Sequence, residues 1–184
     1  LDLCESDYLV LFAPTWRDFG DEVLSFDICC VKQAFEKRFS KHIILGKRGH
    51  YFSKEDGSNG EVDLNNYHDM QGLLLAADAV ITDYSSLIWD YSFTYRPCFL
   101  FVPDLAKYER DRGFDVDIHE WGFPVCESNE ELARAIEEFD QAEFKKAMVK
   151  HHEELGSFET GHACEAVAQV ILDHCGVDGK GGEQ

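Results

Sequence analysis

An α/β fold built on a doubly wound parallel sheet is what this sequence predicts, and three observations predict it. Short runs of consecutive apolar residues recur at 8–13, 42–46, 79–82 and 98–102 without the alternation of a half-exposed strand, as strands buried on both faces require. Segments with helical spacing lie between them, so strand and helix alternate along the chain. The runs break into polar or basic residues where they end, which puts the reactive side chains at one place in each unit. Four or five such strands give a Rossmann-like sheet. Right-handed crossovers then bring every carboxyl-end loop to the same edge.

The bounds agree with one globular domain. The chain has 184 residues, 45% hydrophobic and 13% aromatic, enough for a sizeable core. We expect a single domain over residues 1–175 and a poorly ordered Gly-rich tail over 176–184. Thirty-six acidic against 17 basic residues give a net charge of −19, which opposes nucleic acid or an anionic membrane as a partner of this surface. No apolar run reaches the ~18 residues of a membrane span, and the start at Leu1 rather than Met suggests an excised piece. Seven cysteines sit mostly inside apolar runs, so reduced and largely buried thiols are expected at Cys29, Cys98 and Cys164. No Cys-x-x-Cys pair or zinc-type His spacing occurs, and no metal is expected. His151 and His152 read as a solvated surface pair.

In chain order, Tyr8–Ala13 is the first strand and stops at Pro14, landing Thr15, Trp16, Arg17 and Asp18 on the carboxyl edge. Ile28, Val31, Phe35 and Phe39 then recur at helical spacing after a candidate cap at Ser25, with Lys37, Arg38 and Lys41 complementing the dipole at the far end. The second strand, from His42, exits into Gly46-Lys-Arg-Gly-His-Tyr51, the densest positive charge of an acidic chain. A polar loop over 54–60 and a short helix capped by Asp69 lead to the third strand, Ala79–Thr82. A helix from Ser85 to Tyr95 follows, then the fourth strand, a long irregular segment over 103–121 pivoting on Gly113, and a short fifth strand at Phe123–Cys126. Helices from Ser128, with a capping-box start, from Gln141 and from Gly161 complete the chain.

The candidate site follows from that edge. Ser85 and Ser86 stand where a buried strand turns into a helix, a place where unpaired N–H groups and two hydroxyls form a phosphate cradle; a plain helix cap is the other reading. Asp83 closes the strand beside them. Arg48 suits two phosphate oxygens at once, and His50 suits donation to a phosphate or protonation of a departing one, or is a loop histidine with no role. Arg17 is either a ligand contact or a salt-bridge partner of Asp18 or Asp21. Asp90, one turn after Ser86, suits a ribose diol or an ion pair with Arg96 or Lys107.

Four segments in order also carry a resemblance: Ala13-Pro-Thr-Trp-Arg-Asp18, Arg48-Gly-His-Tyr51, Ile81-Thr-Asp-Tyr-Ser-Ser86 with Trp89-Asp-Tyr91 and Arg96-Pro97, and Asp111-Arg-Gly-Phe114 downstream of Tyr108. Together, over about residues 8–165, they resemble the CDP-glycerol glycerophosphotransferase family, which builds teichoic-acid-type polymers. The resemblance implies the C-terminal, donor-nucleotide half of a two-domain GT-B enzyme, inactive or nearly so on its own. It implies transfer of glycerol phosphate from CDP-glycerol to a hydroxyl of a polymer acceptor with release of CMP, no cofactor, and ribitol phosphate as the nearest competing donor. It implies His50 as the catalytic residue, with Arg17, Arg48, Asp83, Ser85, Ser86 and Asp90 on the substrate. The general base then lies in an N-terminal acceptor-binding domain with a His-Gly-Thr-Pro motif. The place of work is the cytoplasm, at the inner face of the membrane. Another GT-B sugar transferase or epimerase is an alternative, although Gly-Gly usually stands there in place of Ser85-Ser86. A non-enzymatic nucleotide-binding domain is a second.

Overall fold

The computed structural model describes residues 4, 6–15, 24–49, 61–157 and 159–175. Six strands form one sheet: β1 (Asp7–Phe12), β2 (His42–Lys47), β3 (Val62–Asp63), β4 (Ala79–Thr82), β5 (Cys98–Phe101) and β6 (Val125–Cys126). Their order is β3-β2-β1-β4-β5-β6 and every pairing is parallel. The chain winds outward from β1 to one edge, then returns to β4 and winds outward to the other, so the sheet reverses direction between β1 and β4. Central strands are apolar throughout because both faces are covered: Val10, Leu11, Val80, Ile81, Phe99 and Leu100 have no solvent exposure.

Helix α1 (Ile28–Phe39) buries Val31, Ala34 and Phe35, the i, i+3, i+4 stripe that its spacing dictates. Phe35 meets Phe99 edge to face at 5.9 Å. Its cap is Asp27, whose carboxylate accepts the Cys30 N–H at 2.9 Å, and not Ser25. Two residues decide its neighbour: Asn129 Oδ1 accepts the Asp27 N–H at 2.8 Å, and Arg38 Nε donates to the Phe139 carbonyl at 2.8 Å. The first ties the start of α1 to α5 (Asn129–Glu137), which begins as predicted with Ser128 Oγ accepting the Glu131 N–H, and the second ties the end of α1 to the turn after α5. α6 (Gln141–Glu154) adds Phe144 and Met148 to the core.

Between β3 and β5 lie α2 (Met70–Ala76) and α3 (Leu87–Ser92). Asp69 occupies the cap position of α2 without a side-chain bond. α3 is shorter than the predicted Ser85–Tyr95 because Tyr95 is left-handed at φ 55° and the Thr94 hydroxyl donates to the Tyr91 carbonyl, which closes the last turn. Arg96 then reaches the amino edge of the sheet, donating to the carbonyls of Leu75 and Ala77 at 2.8 and 2.7 Å and satisfying the end of α2. Tyr91 donates to the same Ala77 carbonyl at 3.1 Å, and burial pushes its phenol pKa up.

Several expectations need correction. The sheet has six strands because two-residue β3 pairs with β2, too short a run to read from periodicity. The 103–121 segment is not irregular throughout: it holds α4 (Leu105–Asp111) and a 3₁₀ turn at Ile118–Trp121, with Gly113 at φ 71° between them as the pivot. His151 is packed, its ring stacked on Trp89 at 5.1 Å and 9°. The tail from 176 lies outside the described residues. The chain divides into two compact units, residues 1–151 and 152–184; the second contains α7 (Ala163–Cys175). No helix among the described residues is long and apolar enough to cross a membrane.

All seven cysteines are free, but burial is uneven: Cys98 and Cys126 are buried, whereas Cys29 and Cys164 are exposed against expectation. Cys29 falls off the Val31–Ala34–Phe35 stripe, so its side of α1 faces water. Burial pushes the Cys98 thiol up, and burial with Glu131 nearby pushes Cys126 up to about 12. Native-state labelling with a thiol reagent at pH 8, read by mass spectrometry, should therefore modify the exposed Cys4, Cys29, Cys164 and Cys175 first and spare Cys98 and Cys126 until the chain unfolds. Early modification of Cys98 would contradict this core.

Candidate functional site

The carboxyl edge is assembled by three consecutive residues at the end of β4. Thr82 donates its hydroxyl to the Ala13 carbonyl at 2.6 Å. Asp83, 0% exposed, accepts the Thr15 N–H at 3.0 Å on each carboxylate oxygen and the Thr15 hydroxyl at 3.0 Å. Tyr84 turns the other way, its hydroxyl donating to Asp104 Oδ1 at 3.0 Å and its ring lying on Tyr108 with centroids 3.6 Å apart. The exits of β1, β4 and β5 are thus held in one arrangement. Asp83 does so from a buried position, its carboxylate taking up the Thr15 N–H and hydroxyl in place of water.

Ser85 and Ser86 follow directly. Ser86 stands at the N-cap of α3 with φ −63° and ψ −13°, and its hydroxyl makes no capping bond; Ser85 Oγ lies 3.5 Å from the Leu87 N–H, a long contact. With only six residues α3 has little macrodipole, and its first N–H groups are engaged within the turn, Ile88 on the Ser85 carbonyl at 3.3 Å and Trp89 on the Ser86 carbonyl at 3.1 Å.

On the other side of β1, Arg48 leaves β2 with its N–H on the Phe12 carbonyl at 2.9 Å and its guanidinium donating to the Tyr67 carbonyl. Gly49 N–H donates to Asn65 Oδ1 at 2.8 Å, tying the exits of β2 and β3 together. The stretch after Tyr67 enters α2, whose Gln71 donates Nε2–H to Asp90 Oδ2 at 3.0 Å. Asp90 is exposed on α3, and its partner is Gln71; Arg96, one of the two ion-pair partners considered for it, is engaged at the opposite edge. No local signal singles out Gln71, because only the sheet order brings the start of α2 beside α3.

Arg48, Ser85, Ser86 and Asp90 thus lie along one edge, around the place where the sheet reverses between β1 and β4. β2 and β4 flank β1, so their exits stand roughly 10 Å apart, two strand spacings. Arg17 and His50, with Trp16 and Tyr51, lie outside the described residues.

With that geometry in view, the comparison with known proteins is direct. The family model described as CDP-Glycerol:Poly(glycerophosphate) glycerophosphotransferase matches residues 1–173. The chain belongs to this glycerophosphotransferase family. It is 32% identical over 180 residues to the teichoic acid glycerol-phosphate transferase of Staphylococcus aureus, covering 89% of this chain and 45% of that protein. It is 27% identical over 183 residues to the teichoic acid ribitol-phosphate primase of Bacillus spizizenii, covering 95% of this chain and 42% of that one. Among solved structures, the wall teichoic acid polymerase TagF, an H444N form soaked with CDPG, superposes with a TM-score of 0.72 at 28% identity, over 95% of this chain and 44% of that chain. The chain spans less than half the length of these relatives. The likeness includes the Rossmann-like parallel sheet flanked by helices.

If the Asp83 to Thr15 bonds hold the edge of this glycerophosphotransferase chain, Asp83→Ala should lower unfolding stability by about 1.5–3 kcal/mol, the cost of a lost charge-assisted bond that leaves a donor unsatisfied. Thr15→Val, which keeps the N–H bond, should cost ~1 kcal/mol. Urea denaturation measures both, and the double variant should be less than additive.

Proposed function

We propose that this chain binds the donor nucleotide for transfer of glycerol phosphate from CDP-glycerol to a hydroxyl of a teichoic-acid-like or capsular polymer, with CMP as the other product. The observation that carries the reading is the convergence of Arg48, Ser85, Ser86 and Asp90 at the reversal of a parallel sheet, in a chain of the glycerophosphotransferase family. Relatives named for both glycerol-phosphate and ribitol-phosphate transfer support a CDP-alditol donor, with glycerol the first choice and ribitol the competitor.

In this reading the acceptor oxygen attacks the glycerol-bearing phosphorus, the bond from that phosphorus to the bridging oxygen breaks, and CMP departs with the electron pair. Negative charge grows on the departing CMP phosphate. Arg48 and the hydroxyls of Ser85 and Ser86 are set to stabilise it without reorganising. His50 protonates the departing phosphate, and Arg17 adds a second cation. Asp90, oriented by Gln71, takes the ribose diol. Asp83 holds the edge through Thr15. The acceptor hydroxyl loses its proton to a base in the acceptor-binding domain, so the isolated chain has at most residual activity. An N-terminal acceptor-binding domain and peripheral attachment to the inner face of the membrane complete the proposal.

Calorimetric titration of the full-length protein with CDP-glycerol tests it. Arg48→Ala should weaken binding by roughly 1.5–3 kcal/mol and Ser86→Ala by ~1 kcal/mol, since the backbone amides survive the second change. An Arg48→Ala protein that binds as tightly as its parent would remove the site assignment. CDP-ribitol and a UDP-sugar run in parallel rank the donors and separate this reading from a sugar transferase.

A further inference from the structure

Tyr84 has no task in the reading above, yet it reaches further across the carboxyl edge than the serines that follow it. Its ring lies 3.6 Å from that of Tyr108 at 18°, and 5.7 Å from that of Phe114. Tyr108 stacks on Phe114 in turn, at 5.3 Å and 24°. The Tyr84 hydroxyl donates to Asp104 Oδ1 at 3.0 Å. Asp104 precedes α4, Tyr108 lies on it, and Phe114 follows the left-handed Gly113, so one side chain touches the start, the middle and the far side of the α4 segment. On the other side of the same backbone, Asp83 is fixed by three contacts from Thr15. The turn that carries Ser85 and Ser86 is therefore anchored toward β1 through residue 83 and toward β5 through residue 84.

We propose that Tyr84 is a positioning residue: by clamping the β4–α3 turn to the α4 segment it aims Ser85 and Ser86 at the donor phosphates. This rests on the reading of those serines as phosphate contacts. Tyr84 acts through them and does not itself touch the donor. Loss of the clamp lets the turn move while Asp83 still holds its other end, so the serines lose aim before the sheet loses order. Small displacements of this kind are costly where several groups must meet one phosphate together.

The test is CDP-glycerol affinity of the full-length protein by calorimetry, with thermal unfolding measured alongside. Tyr84→Phe keeps the stack and loses the bond to Asp104, and should weaken binding about two- to threefold; Tyr84→Leu loses both and should weaken it about tenfold. The deciding measurement is a cycle with the Ser85→Ala, Ser86→Ala double variant. If Tyr84 works through the serines, replacing them in the Tyr84→Leu background changes affinity little further. A residue that only supports the fold would lower the melting temperature and leave the affinity of the folded molecule unchanged, or its effect would add to that of the serines; either result overturns the proposal. If Tyr84→Leu does not fold, Tyr108→Leu removes the same stack from the α4 side and takes its place in the cycle, where unchanged affinity or simple additivity again overturns the proposal. Weakened binding in the serine variants with none in the tyrosine variants rejects the positioning role alone. Unchanged binding in both sets rejects the donor reading along with it.

Discussion

The buried Asp83 carboxylate, bonded to the Thr15 N–H and hydroxyl, is the constraint on which the functional edge depends. A doubly wound sheet opens a crevice where its winding reverses, because the loops on either side lead away from each other. Here that point lies between β1 and β4, and Thr15 and Asp83 are the residues that leave those two strands. Burying a carboxylate is unfavourable unless donors replace its water, so the bond forms only when both loops are in register. A flexible crevice becomes a defined edge, and everything placed after Asp83 inherits that definition.

Charge works at two ranges in this molecule. The net charge of −19 is a property of the whole surface, screened in physiological salt beyond about 8 Å. Binding of an anionic donor depends on what lies within contact distance. In the proposed reading this is Arg48 and the serine hydroxyls at the edge. Asp90 fits the same picture, since its carboxylate stands one turn beyond the serines and is held by an amide, Gln71, which brings no charge.

Residues that lie next to one another in the resembling segments do different work. In Asp83-Tyr84-Ser85-Ser86 the first two hold neighbouring loops, and the last, Ser86, is exposed with its hydroxyl making no capping bond. Arg96 completes α2 at the amino edge, and Tyr108 with Phe114 packs against Tyr84. The segments thus combine packing and chemistry, and only their positions in the fold separate the two.

The sequence by itself determined the strands β1, β2, β4 and β5, the helices after β6 and the placing of Arg48 and Ser85 on one edge. The reason is that an apolar run buried on both faces and a helical stripe are local signals, and parallel pairing follows from their alternation. Two-residue β3 escaped because so short a run has no period, and the cap of α1 shifted from Ser25 to Asp27 because several polar residues compete there. Partners were decided only by the tertiary structure. Thr15 and Asp83 are 68 residues apart, and Gln71 and Asp90 are 19 apart; no spacing rule links either pair. The same holds for exposure: Cys29 stands in an apolar run, yet it points away from the sheet because Val31, Ala34 and Phe35 take the inward face. Local sequence fixes which residues form an element, whereas the sheet order decides what each side chain meets, and that order is a property of all the strands at once.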